Sequence, residues 1–241
     1  MATILVTGGG GGIGGAVGRL LAERGDVPVL ADVDGERAER AAAAIEGASA
    51  VRLDVADTAD CARAVGAVVE RHGRIDGVVC CAAIFGYDDT LSITPESLDR
   101  VLHVNLHGSL FVAQAAARAM IAAGHGGSVV LFSTAAAQRV IGSPAYSISK
   151  GAVETLTREL AVEWAPHGIR VNAVSPGVVD TPMSREAQDT PAIIGALMAH
   201  TPAKRIGRPE EIAATVGFLL SDAASFVTAA IVPTDGGFLA V

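Results

Sequence analysis

Eight residues near the start, Thr7-Gly8-Gly9-Gly10-Gly11-Gly12-Ile13-Gly14, restrict the fold more than any other stretch. Before them comes Thr3-Ile4-Leu5-Val6, a short apolar run with β-branched members that reads as a buried strand. After them, residues 16–23 read as a helix. A glycine turn between a strand and a helix has a physical use. The first amides of a helix have no partner inside it, and the helix dipole adds partial positive charge there. Glycines let a pyrophosphate approach that backbone closely. Flexible linkers are also glycine-rich, but the flanking strand and helix argue against a linker.

The same alternation runs to the end of the chain. Residues 27–31, 51–53, 78–82, 128–132, 171–174 and 229–232 read as further strands. Helices are expected at 35–45 with Asp34 as cap, at 59–72, at 95–123 as one long element, at 144–164 and at 209–221. Ser143-Pro144 starts the fourth of these, with serine as cap and proline at the first helical position. This pattern predicts an α/β, doubly wound (Rossmann) seven-stranded parallel sheet with helices on both faces. The chain has 241 residues, half of them apolar, which suits a single domain spanning 1–241. Residues 181–208 break the alternation between two prolines and are expected to form a lid.

A formal charge of −8 disfavours a nucleic-acid partner or an anionic membrane. No apolar run reaches the length of a membrane span, and the first strand begins too early to leave room for a signal peptide. Cys61, Cys80 and Cys81 have no metal-binding spacing, so a reducing cytoplasm is the expected location.

Several side chains could carry chemistry. Asp32 ends the second strand, 18 residues past Gly14, where a carboxylate accepts both hydroxyls of an adenosine ribose and repels a 2′-phosphate. No lysine or arginine lies in the glycine turn, and Val33 and Asp34 follow Asp32, so NAD is the expected cofactor. Asp54-Val55 ends the third strand and suits either an adenine contact or an ordinary turn. Tyr146 and Lys150 are four apart at a helix start, so phenol and ammonium share one face. A neighbouring cation favours the phenolate and makes tyrosine usable as an acid or base. Ser133 could donate to a substrate oxygen, with Thr134 a rival for that role.

Taken together these stretches resemble the single-domain short-chain dehydrogenases/reductases. The motifs in order are Thr7-Gly8-x-x-x-Gly12-Ile13-Gly14, Asp54-Val55, Asn105 in Val104-Asn105-Leu106, Ser133, Tyr146-x-x-x-Lys150, Pro176-Gly177-x-x-x-Thr181 and Asp235-Gly236-Gly237. The resemblance implies that Tyr146 is the acid/base, that Lys150 lowers its pKa and holds the nicotinamide ribose, and that Ser133 orients the substrate oxygen. It gives Asn105 a proton-relay water and Val179 and Thr181 the nicotinamide amide. Cofactor contacts fall to Gly8, Gly12, Ile13, Gly14, Asp32, Asp54, Val55, Cys81, Ala82 and Ala83. It also implies a homotetramer and a small-molecule alcohol or ketone substrate, with hydride passing between NAD and a secondary alcohol carbon. Same-fold alternatives are reduction of a ketone or a C=C bond; a nucleotide sensor without catalysis is a third.

One segment departs from the family. Cys80-Cys81-Ala82-Ala83 stands where Asn-Asn-Ala-Gly is usual. The asparagines that tie that strand to its neighbours are missing, and Ala83 adds a methyl along the ribose path. His103 and His107 lie four apart but lack a third ligand, so no metal is expected. In the lid, Ile193, Ile194, Leu197 and Met198 share one helical face, which favours an apolar, cyclic or aryl-bearing alcohol; Arg185 and Lys204 could meet a carboxylate.

Overall fold

The computed structural model describes residues 1–139 and 142–241. Strand β1 (Thr3–Thr7) leads through the glycine turn into α1 (Gly12–Glu23). Then come β2 (Val27–Asp32), α2 (Gly35–Ala43), β3 (Ser49–Arg52), α3 (Thr58–His72) and β4 (Gly77–Cys80). Helices α4 (Pro95–Leu102) and α5 (Gly108–Ala123) precede β5 (Gly127–Phe132), α6 (Pro144–Trp164) and β6 (Ile169–Pro176). Short helices α7 (Arg185–Asp189) and α8 (Pro191–Ala199), then α9 (Pro209–Leu220) and β7 (Ile231–Thr234), complete the chain.

The seven strands form one sheet in the order β3-β2-β1-β4-β5-β6-β7, every pair parallel. Strand order reverses between β1 and β4, so the carboxyl ends of those strands open a crevice where ligands of such sheets lie. Alternate residues feed two cores. Leu5, Val29, Val78, Val129 and Val171 face α3, α5 and α6, whereas Ile4, Val6, Leu30, Val130 and Val174 face α1 and α9.

Several element bounds differ from the sequence expectation, among them β3 at 49–52 and β6 at 169–176, and three differences have a local cause. β4 stops at Cys80 rather than 82, because the chain turns: the Cys81 amide bonds back to the Val79 carbonyl at 3.1 Å. The long helix is broken by a π-helical stretch, His103–His107, centred on Asn105. β7 begins two residues late, since Ala229 takes the left-handed φ of 62° and cannot extend a strand.

Candidate active site

The glycine turn is held as a cradle. Gly8 has φ +65°, and a Cβ on Gly14 would stand 2.3 Å from the Gly8 carbonyl oxygen, so side chains are excluded at both positions. Helices α2 and α3 are capped by the carboxylates of Asp34 and Asp57, but α1 has no side-chain cap. Apart from that of Gly14, which meets the Cys81 sulfur, its first-turn amides are left to the crevice as an anion site. Asp32 is buried at the end of β2; Oδ1 accepts from the Asp34 amide at 3.2 Å, and Oδ2 lies 3.0 Å from where a Cβ on Gly10 would stand. This donor set, dipole and acidic strand end fit a dinucleotide.

The surroundings of Asp32 need one correction. Arg37 returns from the first turn of α2 and lies over the glycine turn, its Nε donating to the Gly10 carbonyl at 3.0 Å. The capping bond from the Arg37 amide to Asp34, 3.0 Å, sets that direction. Asp54 has one oxygen engaged, Oδ1 closing a turn with the Ala56 amide at 3.0 Å.

Beyond the cradle stand Tyr146 and Lys150, on adjacent turns of α6. Lys150 is fully buried and has no carboxylate partner among the described residues; Nζ donates to the Phe132 carbonyl at 2.8 Å and lies 5.9 Å from the Tyr146 ring centre. Burial lowers its pKa to about 8. Burial likewise raises the Tyr146 phenol to about 12, against an opposing hydrogen bond from Thr134. The cation therefore does not pull the phenol down in this arrangement, contrary to the simple pairing argument: its ammonium is spent partly on Phe132 and desolvation outweighs it.

The two hydroxyls at the end of β5 divide differently from expectation. Side chains alternate along the strand, so Ser133 points with Val129 and Leu131 toward α6. Its hydroxyl donates to Glu154 Oε1 at 2.8 Å and is buried. Thr134, half-buried, accepts from the Ala136 amide at 3.3 Å, and its hydroxyl is the one that opposes the rise of the Tyr146 phenol pKa. Glu154 was not singled out in the sequence, although it stands four residues after Lys150 on the same helix face.

Asn105 fastens rather than floats. Its Oδ1 accepts from the Ile84 amide at 2.9 Å, and Nδ2 donates to the Ile84 carbonyl and to Ser149 Oγ, both at 3.0 Å. It thus ties the segment after β4 to α6. Ser143 does the same from the other side: its hydroxyl, expected to cap α6, donates instead to the Gly86 carbonyl at 2.5 Å. The segment after β4 is held at its start by Thr7, whose hydroxyl accepts from the Ala82 amide at 3.1 Å and reaches the Val79 carbonyl at 3.5 Å. Burial pushes the Cys80 and Cys81 thiols up to about 12, so both are neutral apolar fillers. Cys81 sits where the Gly14 amide meets its sulfur and where it adjoins Tyr146 and Lys150.

An aromatic wall that the sequence did not announce borders the phenol. Phe85 packs on Tyr146 with ring centres 5.0 Å apart, and on exposed Tyr87 at 5.2 Å. Across the crevice the chain beyond Val179 folds as a short 3-10 turn, α7 and α8. Thr181 begins it in contact with Gly12, 3.0 Å from where a Cβ there would lie. None of the residues of α8 is buried, so Ile194, Leu197 and Met198 remain only half-covered. Arg185 pairs with Asp180 at 3.4 Å, and Lys204 donates to the last carbonyls of α8, so both cations are engaged. His103 and His107 meet edge to face with ring centres 4.6 Å apart, and among the described residues no group of three metal-ligating side chains occurs. No helix of the described residues is long and apolar enough to cross a membrane.

Comparison with known proteins decides the family. A family model described as enoyl-(acyl carrier protein) reductase matches residues 9–239. The chain is a short-chain dehydrogenase/reductase. It is 41% identical to the cis-4-hydroxycyclohexanecarboxylate dehydrogenase of Sinomonas cyclohexanicum, covering 98% of this chain and 96% of that one. Galactitol 2-dehydrogenase (L-tagatose-forming) of Cereibacter sphaeroides is 38% identical, with 97% and 93% covered. The crystal structure of levodione reductase superposes with a TM-score of 0.92 at 38% identity, covering 100% and 98%. This dehydrogenase/reductase therefore belongs with oxidoreductases that use a nicotinamide cofactor and act on alcohols, sugars and their carbonyl counterparts.

Proposed function

We propose that this enzyme interconverts a cyclic or otherwise largely apolar secondary alcohol and its ketone, with NAD as the preferred hydride carrier. The observation that carries the reading is the Thr134–Tyr146–Lys150 cluster lying beside Gly14 and Cys81 at the mouth of the dinucleotide cradle. When bound there, the nicotinamide accepts or supplies the hydride and, oxidised, adds a positive charge. The protein's part is alignment and proton handling. The Tyr146 phenol, held protonated by burial, is the acid for a carbonyl oxygen becoming an alkoxide. In the oxidative direction Tyr146 receives the hydroxyl proton, and the positive charge that an oxidised nicotinamide would bring, added to the Lys150 ammonium, would favour the phenolate that must form first. Thr134 donates to the same substrate oxygen and holds it at the phenol. Ser133, held by Glu154, would take that role only after turning about its Cα–Cβ bond.

Substrate class follows from the walls. Phe85 beside the phenol and the half-covered apolar side chains of α8, if that helix closes over the crevice, offer little to a polyol and much to a saturated or aromatic ring. That α8 closes over the substrate as part of a 181–208 lid, that one domain spans 1–241, that Asp54, Val55, Val179, Thr181, Ala82 and Ala83 touch the cofactor, and that the enzyme works as a cytoplasmic homotetramer belong to the same proposal. The name of the relative that acts on a hydroxycyclohexanecarboxylate supports a ring substrate. A panel of substituted cyclohexanols, with and without a carboxylate, against galactitol and other polyols tests it. Higher kcat/KM on the ring alcohols is expected; better turnover of polyols would overturn the assignment. The description of the matching family model favours a second reading, reduction of a C=C bond. A cyclic enone separates the two, since loss of the alkene with the carbonyl intact would select it.

A further inference from the structure

Arg37 has no role in hydride transfer, yet it occupies the rim of the adenosine end of the cradle. Its Cγ lies 2.6 Å, and its Nε 3.1 Å, from where a Cβ on Gly10 would stand; Asp32 Oδ2 is 3.0 Å from that same point. The guanidinium continues along the turn, with Nη2 3.3 Å from the corresponding point on Gly11. Gly10 and Gly11 are therefore the floor on which a carboxylate and a guanidinium stand side by side. Arg37 makes no ion pair within 4.0 Å of a carboxylate among the described residues, unlike Arg40 on the same helix, which pairs with Glu36. One hydrogen bond, to the Gly10 carbonyl, fixes its Nε. Nothing described competes for the outer edge of the guanidinium, and the side chain is exposed.

A carboxylate alone at this place discriminates by charge. The 2′-hydroxyl of an adenosine ribose donates to it, whereas a 2′-phosphate dianion is repelled. A guanidinium a few ångströms away reverses part of that. Its field offsets the carboxylate's, and its planar N–H fork matches phosphate oxygens. We propose that Arg37 is a second determinant of cofactor choice, a phosphate-facing cation that lets this enzyme bind NADP as well as NAD, with Asp32 setting the preference between them. The proposal rests on the glycine turn being the dinucleotide site and refines the choice of NAD.

Equilibrium binding tests it without any substrate. Reduced-nicotinamide fluorescence gives Kd for NADH and NADPH on the parent, Arg37→Gln, Arg37→Lys, Asp32→Asn and the Asp32→Asn/Arg37→Gln double variant. Glutamine keeps a donor for the Gly10 carbonyl but loses the charge. Arg37→Gln is expected to weaken NADPH about tenfold or more and NADH only a few-fold, since a charge-assisted bond to phosphate is the difference. Arg37→Lys should restore most of the NADPH affinity. Asp32→Asn should tighten NADPH, and the double variant should forfeit that gain. Raising salt should weaken NADPH more than NADH in the parent and equally in Arg37→Gln. Equal loss of both nucleotides on Arg37→Gln would reduce Arg37 to a brace for the turn and overturn the proposal. So would NADPH affinity that ignores residue 37 in both Asp32 backgrounds. Failure of every variant and the parent to bind either nucleotide would instead overturn the dinucleotide site itself, and this inference with it.

Discussion

Replacing Lys150 by methionine should abolish catalysis while making the protein more stable at neutral pH. Lys150 is buried, its ammonium donates to the Phe132 carbonyl, and burial brings its pKa from 10.5 to about 8. Below pH 8 both the folded and the unfolded chain hold the proton, and the folded state bears the whole cost of a desolvated ammonium. Between pH 8 and 10.5 only the unfolded chain holds it, so the cost shrinks as pH rises; above 10.5 it is gone. At about 1.36 kcal/mol per pH unit, a gap of about 2.5 between the two pKa values amounts to about 3 kcal/mol. Methionine fills the same channel without charge and leaves the Phe132 carbonyl short of one donor, which returns about 1 kcal/mol. The expected net gain at pH 7 is therefore about 2 kcal/mol. Linkage removes about 2 kcal/mol of the variant's advantage between pH 7 and pH 9.5. Urea unfolding of both proteins at the two pH values measures this, provided the m-values agree. A variant less stable than the parent at pH 7, or an advantage that does not change with pH, would refute the reasoning.

Three further outcomes are expected. Tyr146→Phe keeps the ring on Phe85 and removes only the hydroxyl, so kcat should fall at least ~100-fold with NADH affinity little changed; stopped-flow kinetics and a fluorescence titration report the two separately. Thr134→Val should lower kcat about tenfold or more while Ser133→Ala stays within about threefold, because Thr134 acts on the phenol pKa whereas the Ser133 hydroxyl is committed to Glu154; the reverse order in steady-state assays would give the substrate-orienting role to Ser133. Leu197→Ala/Met198→Ala should raise KM for a ring alcohol about fivefold or more with the melting temperature nearly unchanged, since both side chains are half-covered; an unaltered KM would detach α8 from the substrate.

The fold was legible because the strands buried on both faces leave continuous apolar runs, and several helix starts carry a proline or a capping carboxylate, as at Pro95, Pro144, Asp34 and Asp57. Where local signals were silent, boundaries moved. Nothing in Leu102 to Gly108 betrays a π turn, which depends on Asn105 reaching Ile84 and Ser149. Tyr146 and Lys150 were legible as a pair because helical spacing alone places them together. Ser133 and Thr134 were not separable, because which one faces the phenol depends on the pleat of β5 and on Glu154 waiting beneath. Arg37 escaped for a similar reason. It is remote in sequence from the glycine turn, and only the packing of α2 brings its side chain back to Gly10. Phe85 lies in a segment without periodicity, so its contact with Tyr146 had no sequence signature.

Hydride should pass directly between a secondary alcohol carbon and the nicotinamide, with the proton handled by Tyr146. Incubating the enzyme with NAD and a cyclohexanol deuterated only at the carbinol carbon tests it in one step. Mass spectrometry of the reduced cofactor is expected to show one deuterium per molecule formed, with an equal amount of ketone, and Tyr146→Phe should suppress both together. Reduced cofactor without deuterium, or no reduced cofactor from any secondary alcohol at any pH between 7 and 10, would contradict the claim.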